Sequence, residues 1–219
     1  MKKPIIGIFA LLASGSLCAF AGDGTAAVNT TVSPQAKEIV EEMRGIDMRL
    51  GNPMFDDGSP NLKEQHKYDI IDELRAIGPD AIPALIQALG DPDDQMRCDA
   101  ELAMINLAGG FDGKPKMDIE KALPALVKSM GDTNSNVRAW AAHAIAEMGP
   151  GGVGAVPVLI KMLNDPDVGP RNCACIALRN IGPPAKPALP ALQKALNDPE
   201  GDVRSFARQA IEKIEKPVN

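Results

Sequence analysis

Residues 188–211 read ALPALQKALNDPEGDVRSFARQAI, and the skeleton of this stretch occurs three more times upstream. In each copy a proline is followed eight residues later by an aspartate, and six residues after that by an arginine. The successive arginines lie 41, 33 and 33 residues apart, a period typical of stacked helix pairs and not of a single globular core. The four sets are Pro83, Asp91 and Arg97; Pro124, Asp132 and Arg138; Pro157, Asp165 and Arg171; and Pro190, Asp198 and Arg204.

Each copy contains two apolar patterns at helical spacing, which predict two helices per repeat. Around the proline, apolar residues fall one position before it and two, three and six positions after it, as in Ile82, Leu85, Ile86 and Leu89. Around the arginine, apolar or small residues fall at −1, +3, +6, +7 and +10, as in Val137, Ala141, Ala144, Ile145 and Met148. Both patterns describe one face of an α-helix.

Prolines, glycines and capping residues predict where these helices begin and end. Pro92, Pro166 and Pro199 follow the aspartate in three copies and predict that the first helix ends at that aspartate. Gly149 and Gly182, each followed by proline, predict the end of the second helix. The second helix is expected to be capped by the residues after the aspartate: Asp93 or Asp94, Asn134 or Ser135, and Asp167.

The run A-x-P-A-L, then D-P, then V-R-x-x-A-x-x-A-I, then I-G-P resembles the short HEAT repeats of the class related to bilin-lyase HEAT domains. The resemblance covers about residues 64–215. It implies an all-α fold, a right-handed α-solenoid of stacked antiparallel helix pairs, as in HEAT-like and armadillo-type superhelices. The chain has only seven aromatic residues (five Phe, one Trp and one Tyr), which suits close helix-on-helix layers better than a sandwich or barrel core.

The chain therefore divides into one quasi-linear domain with leading segments. Residues 34–79 are predicted to form a degenerate capping pair of helices, because terminal repeats of a solenoid depart from consensus. The first helix of that pair is expected to run from a Ser33 cap through Leu50. The four clear repeats are assigned to residues 80–108, 118–150, 151–183 and 184–216, with an insertion loop at 109–117.

The resemblance implies that the repeated aspartates and arginines form a ladder between neighbouring repeats. The chemistry agrees, since an acidic side chain at the turn can accept hydrogen bonds from an arginine one turn into a following helix, its own or the neighbour's. We interpret these residues as structural and not catalytic. They are Asp91, Asp132, Asp165, Asp198, Arg97, Arg138, Arg171 and Arg204.

The first 21 residues have the pattern of an export signal. Two lysines precede an apolar run over residues 5–17, and the Ala-Phe-Ala sequence ending at Ala21 offers a cleavage site. We therefore expect an extracytoplasmic protein, periplasmic or secreted, without membrane insertion after cleavage, and a flexible leader at residues 22–33. Lipidation of Cys18 in place of cleavage is the alternative.

The net charge of the chain bears on which class of partner it can bind. Removal of the signal takes away two of 23 basic residues and none of 29 acidic ones, which changes the net charge from −6 to −8. Nucleic acid is therefore not an expected partner, because backbone binding needs clustered Lys and Arg.

Three cysteines would remain after removal of the signal, an odd number that argues against a disulfide framework. Cys98, Cys173 and Cys175 are interpreted as small buried or half-buried apolar residues.

A strip along the second helices holds the candidate contact residues. Positions +2, +5 and +9 from the arginine lie on the flank of the buried stripe and bring together Trp140, His143 and Phe206, with Leu102 and Ile176. The resemblance implies that second helices line a concave surface, so we predict that this strip binds a partner. The alternative is that these side chains pack on the next repeat.

Two loops also carry exposed-looking apolar residues. Phe111, in the insertion loop, is predicted either to tuck against the stack or to contact a partner, and Met54 and Phe55 in the 51–62 loop raise the same alternatives. Extra residues in a solenoid collect at one edge, often the edge that binds.

The sequence contains no arrangement that indicates catalysis. It has two histidines, His66 and His143, on different repeats, and it lacks H-E-x-x-H, glycine-rich phosphate and G-x-S-x-G motifs. We therefore expect a monomeric, non-catalytic scaffold that binds a protein or peptide, without cofactor or metal. The alternatives are a chromophore-lyase-like protein, suggested by the resemblance alone, and a structural spacer.

Overall fold

A computed structural model describes residues 32–44, 46, 62–110 and 114–216. Phe111, Met54, Phe55 and the predicted signal peptide lie outside the described residues. The described part contains helices and no strand, in agreement with the predicted all-α solenoid. The α-helices are α1 Pro34–Glu42, α2 Leu62–Ile77, α3 Ile82–Ala88, α4 Asp94–Gly109, α5 Leu123–Ser129, α6 Ser135–Met148, α7 Val156–Met162, α8 Val168–Ile181, α9 Leu189–Ala195 and α10 Gly201–Glu215.

The first helices of the repeats (α3, α5, α7 and α9) are short, with seven residues each. They end three residues before the aspartate, so the prediction that they reach it is wrong. The reason is a tightened last turn. The N–H of Asp91 bonds the carbonyl of Ala88, three residues back, at 3.1 Å, and the same bond recurs before Asp132, Asp165 and Asp198.

The second helices begin at the predicted caps. Asp93 accepts a hydrogen bond from the N–H of Gln95 at 3.1 Å, and Asn134 accepts one from the N–H of Asn136 at 2.8 Å. Asp167 stands at the cap position of α8 but makes no capping bond. Its carboxylate instead accepts a hydrogen bond from Arg138 Nη2 at 2.8 Å, so a contact between repeats replaces the local one.

Short 3₁₀ segments, which the sequence patterns did not predict, precede each first helix. They cover Gly78–Ala81, Glu120–Ala122, Gly149–Ala155 and Pro183–Ala188. Gly149 and Gly182 have φ of 57° and 73°, conformations that favour glycine. Gly152 allows close packing, since a Cβ there would lie 2.8 Å from Ile145 Cγ2.

The second helices pack against one another in chain order, from α4 through α6 and α8 to α10. The first helices α3, α5 and α7 instead contact the 3₁₀ segment that precedes the next first helix. The second helices are therefore the more closely stacked layer, and this is the layer that the family resemblance predicts to line the concave side of the array. Residues at −1, +3, +6, +7 and +10 from the arginine are buried throughout, except Met148 and Ile211, which are half-buried.

The two ends of the array differ from its middle. At the start, α1 is capped by Ser33 Oγ, as predicted. The helix ends at Glu42 and the described residue Ile46 lies outside it, so the prediction that the helix continues through Ile46 toward Leu50 is wrong. Tight turns end it, since the N–H groups of Arg44 and Ile46 bond carbonyls three residues back.

The last helix presents a charged outer face. The +4 and +8 positions of α6 are Ala142 and Ala146, both buried, whereas the same positions of α10 carry Arg208 and Glu212, both exposed. Such a face favours solvent over another repeat. Within the described residues, no helix is both long and apolar enough to span a bilayer.

Candidate partner-binding face

The second helices are held in place by the predicted aspartate and arginine residues. Arg138 donates from Nε and Nη2 to the two carboxylate oxygens of Asp165, both at 2.8 Å. Its Nη1 donates to the carbonyls of Asp132 and Thr133 at 3.0 and 3.2 Å. Each such arginine therefore joins the turn of its own repeat to the aspartate of the next. Equivalent inter-repeat pairs are Arg97 with Asp132 at 2.9 and 3.0 Å, and Arg171 with Asp198 at 2.8 and 3.1 Å.

The aspartates of this ladder are held in the charged form. Burial raises the pKa of Asp165, but the hydrogen bonds from Arg138 and from the N–H of Asp167 outweigh it, and the pKa lies below its ordinary value. Burial and hydrogen bonding act in the same way on the pKa of Asp132 and of Asp198. These contacts consume the donors and acceptors of both partners, which suits a structural role.

The ladder has two special ends. Among the residues that the structure describes, Arg204, in the last repeat, bonds only the carbonyls of Asp198 and Pro199, at 2.6 and 2.7 Å. Asp91, in the first, accepts a hydrogen bond from Arg44 Nη2 at 2.9 Å, so the turn that follows α1 supplies an arginine from outside the repeat pattern. Arg44 could not be predicted as part of the ladder because it lacks the proline and aspartate spacing of the repeats. The available signal was that Asp91 has no upstream repeat to supply its arginine.

Three second helices together carry the half-buried side chains of the predicted strip. Trp140 and His143 stack with ring centroids 6.0 Å apart and an interplanar angle of 24°. Ile176 on α8 and Phe206 on α10 are also half-buried and pack against the core from the same flank. We call Trp140, His143, Ile176 and Phe206 the concave strip. These side chains are partly covered by the array and partly accessible to solvent. The two alternatives for these positions, packing on a neighbouring repeat and contact with a partner, are therefore compatible.

Leu102, which the sequence analysis placed in the contact surface, belongs to the core. It is only 7% exposed, so its prediction as a contact residue is wrong. The reason is that α2 packs against α4, and Arg75 of α2 donates to the carbonyl of Asn106 at 3.1 Å. The capping pair thus covers this flank of the first clear repeat, whereas the same flank of the later repeats stays accessible.

His143 is held mainly in its neutral form. Burial lowers its pKa, and the carboxylate of Glu147, 3.7 Å from Nε2, opposes that shift without reversing it. The side chain is 34% exposed. A neutral imidazole can both donate and accept a hydrogen bond, which suits recognition of a polar group beside the apolar side chains.

The cysteines have the environment predicted for small apolar residues. Cys98 and Cys175 are buried and Cys173 is half-buried, and all three are free thiols. Burial raises the pKa of Cys98 and Cys175 to about 12 and that of Cys173 to about 11. The thiols are therefore protonated at neutral pH and poor nucleophiles.

A cavity opens next to the concave strip, where α6, α8 and α10 end. It has a volume of about 460 Å³ and contains, among its lining residues, Glu147, Arg179, Gln209 and Lys213. We call it the C-terminal cavity. The insertion loop contributes Lys116, whose Nζ lies 3.9 Å from a Glu147 carboxylate oxygen.

The described part of the insertion loop is fixed at several points. The N–H of Met117 donates to the carbonyl of Leu107 at 2.8 Å, and Arg75 Nη1 donates to the carbonyl of Pro115 at 2.6 Å. Lys114 forms an ion pair with Asp72 of α2. The loop therefore bridges the capping pair and the second helices. Phe111, the loop residue predicted to tuck against the stack or contact a partner, lies outside the described residues. Among the loop residues that the structure describes, Lys116 lines the cavity.

The sequence profile of the HEAT repeats matches residues 61–146 and 123–212, together 152 of 219 residues (212 − 61 + 1). No curated protein matches the chain. Similar solved structures are repeat solenoids. A designed armadillo repeat protein in complex with the peptide (KR)4 is 19% identical, with 82% of this chain and 81% of that one covered and a TM-score of 0.57.

Two natural solenoids are also similar. The complex of CpcE and CpcF of phycocyanin lyase from Nostoc is 17% identical over 80% of this chain and 96% of that one, with a TM-score of 0.58. Kap95p, solved with RanGDP, is 16% identical over 88% of this chain and 25% of its own length, also with a TM-score of 0.58. At these identities the likeness establishes the fold.

Proposed function

We propose that this chain, which belongs to the HEAT-repeat family, is a non-catalytic scaffold that binds a protein or peptide along the concave strip, outside the cytoplasm. The observation that carries the proposal is the half-buried row formed by Trp140, His143, Ile176 and Phe206 across three consecutive second helices. Aromatic and aliphatic side chains that are anchored on one side and accessible on the other are typical of binding surfaces.

The similar structures support partner binding in general. One designed armadillo repeat protein holds a peptide, another was designed for modular peptide recognition, and Kap95p binds RanGDP. The location outside the cytoplasm rests on the export-signal pattern of residues 1–21. The chromophore-lyase alternative rests on a likeness of fold at 17% identity, and bilin binding by the purified protein would test it.

Site-specific photo-crosslinking tests the proposal. A benzophenone amino acid in place of Ile176, on the inner side, should capture a defined protein from an envelope extract. The same amino acid in place of Lys161, an exposed residue of the first helix α7, should not. The double variant Trp140→Ala/Phe206→Ala should lose this capture, because truncation of central aromatic contacts costs most of the binding energy at hot spots.

A matched control keeps the outcome interpretable. Ile160→Ala/Leu196→Ala removes two half-buried apolar side chains, one from α7 and one from the residue that follows α9, and should retain the partner. Circular dichroism should show both double variants to be helical. Capture that survives loss of Trp140 and Phe206, or equal capture from positions 176 and 161, would exclude the concave strip as the binding surface.

A further inference from the structure

The C-terminal cavity is cationic on an acidic protein. Its lining contains Lys116, Arg179, Lys213 and Lys216, together with Glu147 and Glu212, a local charge of +4 − 2 = +2. The whole chain carries −6, so the rest of it carries −8 (−6 − 2). A cationic site on an otherwise acidic protein attracts anions selectively.

Three of these cations have no acidic partner in the structure. Arg179, Lys213 and Lys216 form no ion pair with a carboxylate of the described residues. Arg179 instead donates from Nη1 to Gln209 Oε1 at 2.8 Å and from Nε to Asn180 Oδ1 at 3.3 Å. These neutral amides position the guanidinium without neutralising it, so its charge is available to a ligand.

Compensation of the helix dipole accounts for only part of this cluster. Cations near the end of a helix stabilise it, and Arg179 and Lys213 lie in the last turns of α8 and α10. Lys116 belongs to the insertion loop, outside any helix, and still reaches the same cavity. Convergence from two helices, a loop and the segment after α10 points to a shared ligand.

The cavity is continuous with the concave strip. Glu147 lines the cavity, and its carboxylate lies 3.7 Å from His143, a member of the strip, and 3.9 Å from Lys116. An extended segment that lies on the apolar strip would therefore pass into the cationic cavity. A segment that carries both apolar and acidic side chains matches the two surfaces.

We propose that the partner presents an acidic, extended peptide segment, whose carboxylates occupy the C-terminal cavity while its apolar side chains contact the concave strip. This inference rests on the proposed function, because it names the chemistry of the partner bound there. The carboxylates interact with Arg179, Lys213 and Lys216. The amides of Asn180 and Gln209 keep the arginine in place.

Fluorescence anisotropy with two synthetic probes tests the inference. One probe is a fluorescein-labelled peptide of alternating glutamate and leucine, and the other is its lysine and leucine counterpart. The full chain should bind the acidic probe at least about tenfold more tightly than the basic one. The preference should shrink when salt is raised from about 0.15 M to about 0.5 M, as screening requires.

Charge reversal inside and outside the cavity provides the matched comparison. Lys213→Glu/Lys216→Glu should weaken binding of the acidic probe by about tenfold or more. Lys161→Glu/Lys194→Glu should leave it unchanged, although both doubles shift the net charge by −4, from −6 to −10. All four lysines are exposed, so neither change disturbs packing.

The outcomes separate this inference from the proposed function. If both probes bind equally, or if the two charge-reversal doubles weaken the acidic probe alike, the acidic preference of the cavity is refuted. If the acidic probe does not bind at all, the inference is also refuted. In each case the strip retains its proposed role if photo-crosslinking at position 176 still captures a protein.

Discussion

Replacement of Arg138 by methionine should weaken the array far more than the same change at Arg204. Methionine keeps much of the aliphatic packing of arginine and removes its hydrogen bonds. Arg138 donates five hydrogen bonds, to Asp165 (two), to Asp167 and to two carbonyls of its own turn. Within the described part of the chain, Arg204 donates only the two bonds to carbonyls of its own turn. The chain therefore contains its own control for the part of the ladder that crosses between repeats.

The expected magnitude follows from the burial of the pair. The side chains of Arg138 and Asp165 are 12% and 10% exposed, which places them in the range of buried ion pairs. Loss of one partner of such a pair costs about 3–5 kcal/mol. Asp165 keeps its bond from the N–H of Asp167 at 3.0 Å, and the contact to the 55% exposed Asp167 side chain adds little. We therefore expect a loss of about 3 kcal/mol for Arg138→Met and of about 1 kcal/mol for Arg204→Met.

Urea unfolding, followed by circular dichroism, measures both losses. Because each repeat touches only its neighbours, Arg138→Met should also broaden the transition, as repeats on either side of the break unfold less cooperatively. Asp165→Asn, alone and combined with Arg138→Met, completes a double-mutant cycle that isolates the inter-repeat contribution. Equal losses for Arg138→Met and Arg204→Met would refute a stabilising role for the pairing between repeats.

Two further predictions concern the packing between helices. Gly152→Ala should destabilise the protein by about 1–3 kcal/mol in urea unfolding, because its Cβ would lie 2.8 Å from Ile145 Cγ2. Gly151→Ala, whose Cβ would meet nothing within 4 Å, should be neutral, and a similar loss at both sites would contradict this packing account. The second prediction concerns Glu101, whose carboxyl group is fully buried near Ser129, so that desolvation raises its pKa well above the ordinary 4.5. Folding therefore takes up a proton, and the free energy of unfolding should fall as pH rises from about 4.5 through the folded-state pKa. Glu101→Gln should remove that decline, so that above the folded-state pKa of Glu101 the variant is more stable than the unchanged protein by about 1–3 kcal/mol. Parallel curves of unfolding free energy against pH for the two proteins would contradict this assignment.

The repeat architecture could be predicted from sequence because its determinants are local. The spacing of proline, aspartate and arginine places two helices in each repeat, and Ala141, Ala144 and Ile145 occupy the buried stripe that their positions predict. The ends of the first helices were predicted too late. The tight turn between Ala88 and Asp91 is set by backbone geometry that apolar spacing does not encode.

The candidate site could be predicted only in part. Trp140, His143 and Phe206 lie on the expected flank, since helical position alone decides that placement. Leu102 has the same helical position as His143, but it is buried on α4, the helix against which α2 packs. The angle at which a degenerate capping pair packs is absent from the repeat pattern. The C-terminal cavity was not predicted, because Lys116 joins it through the path of an insertion loop that no periodicity describes.

The pairing of each ladder arginine with the aspartate of the next repeat constrains how the number of repeats can change in evolution. Every internal repeat receives an arginine from the repeat before it and supplies one to the repeat after it, so a duplicated unit would satisfy both bonds at once. A partial duplication would leave a buried carboxylate or guanidinium alone. We therefore expect the length of the array to change in evolution by gain or loss of whole repeats, placed before the repeat that contains α10.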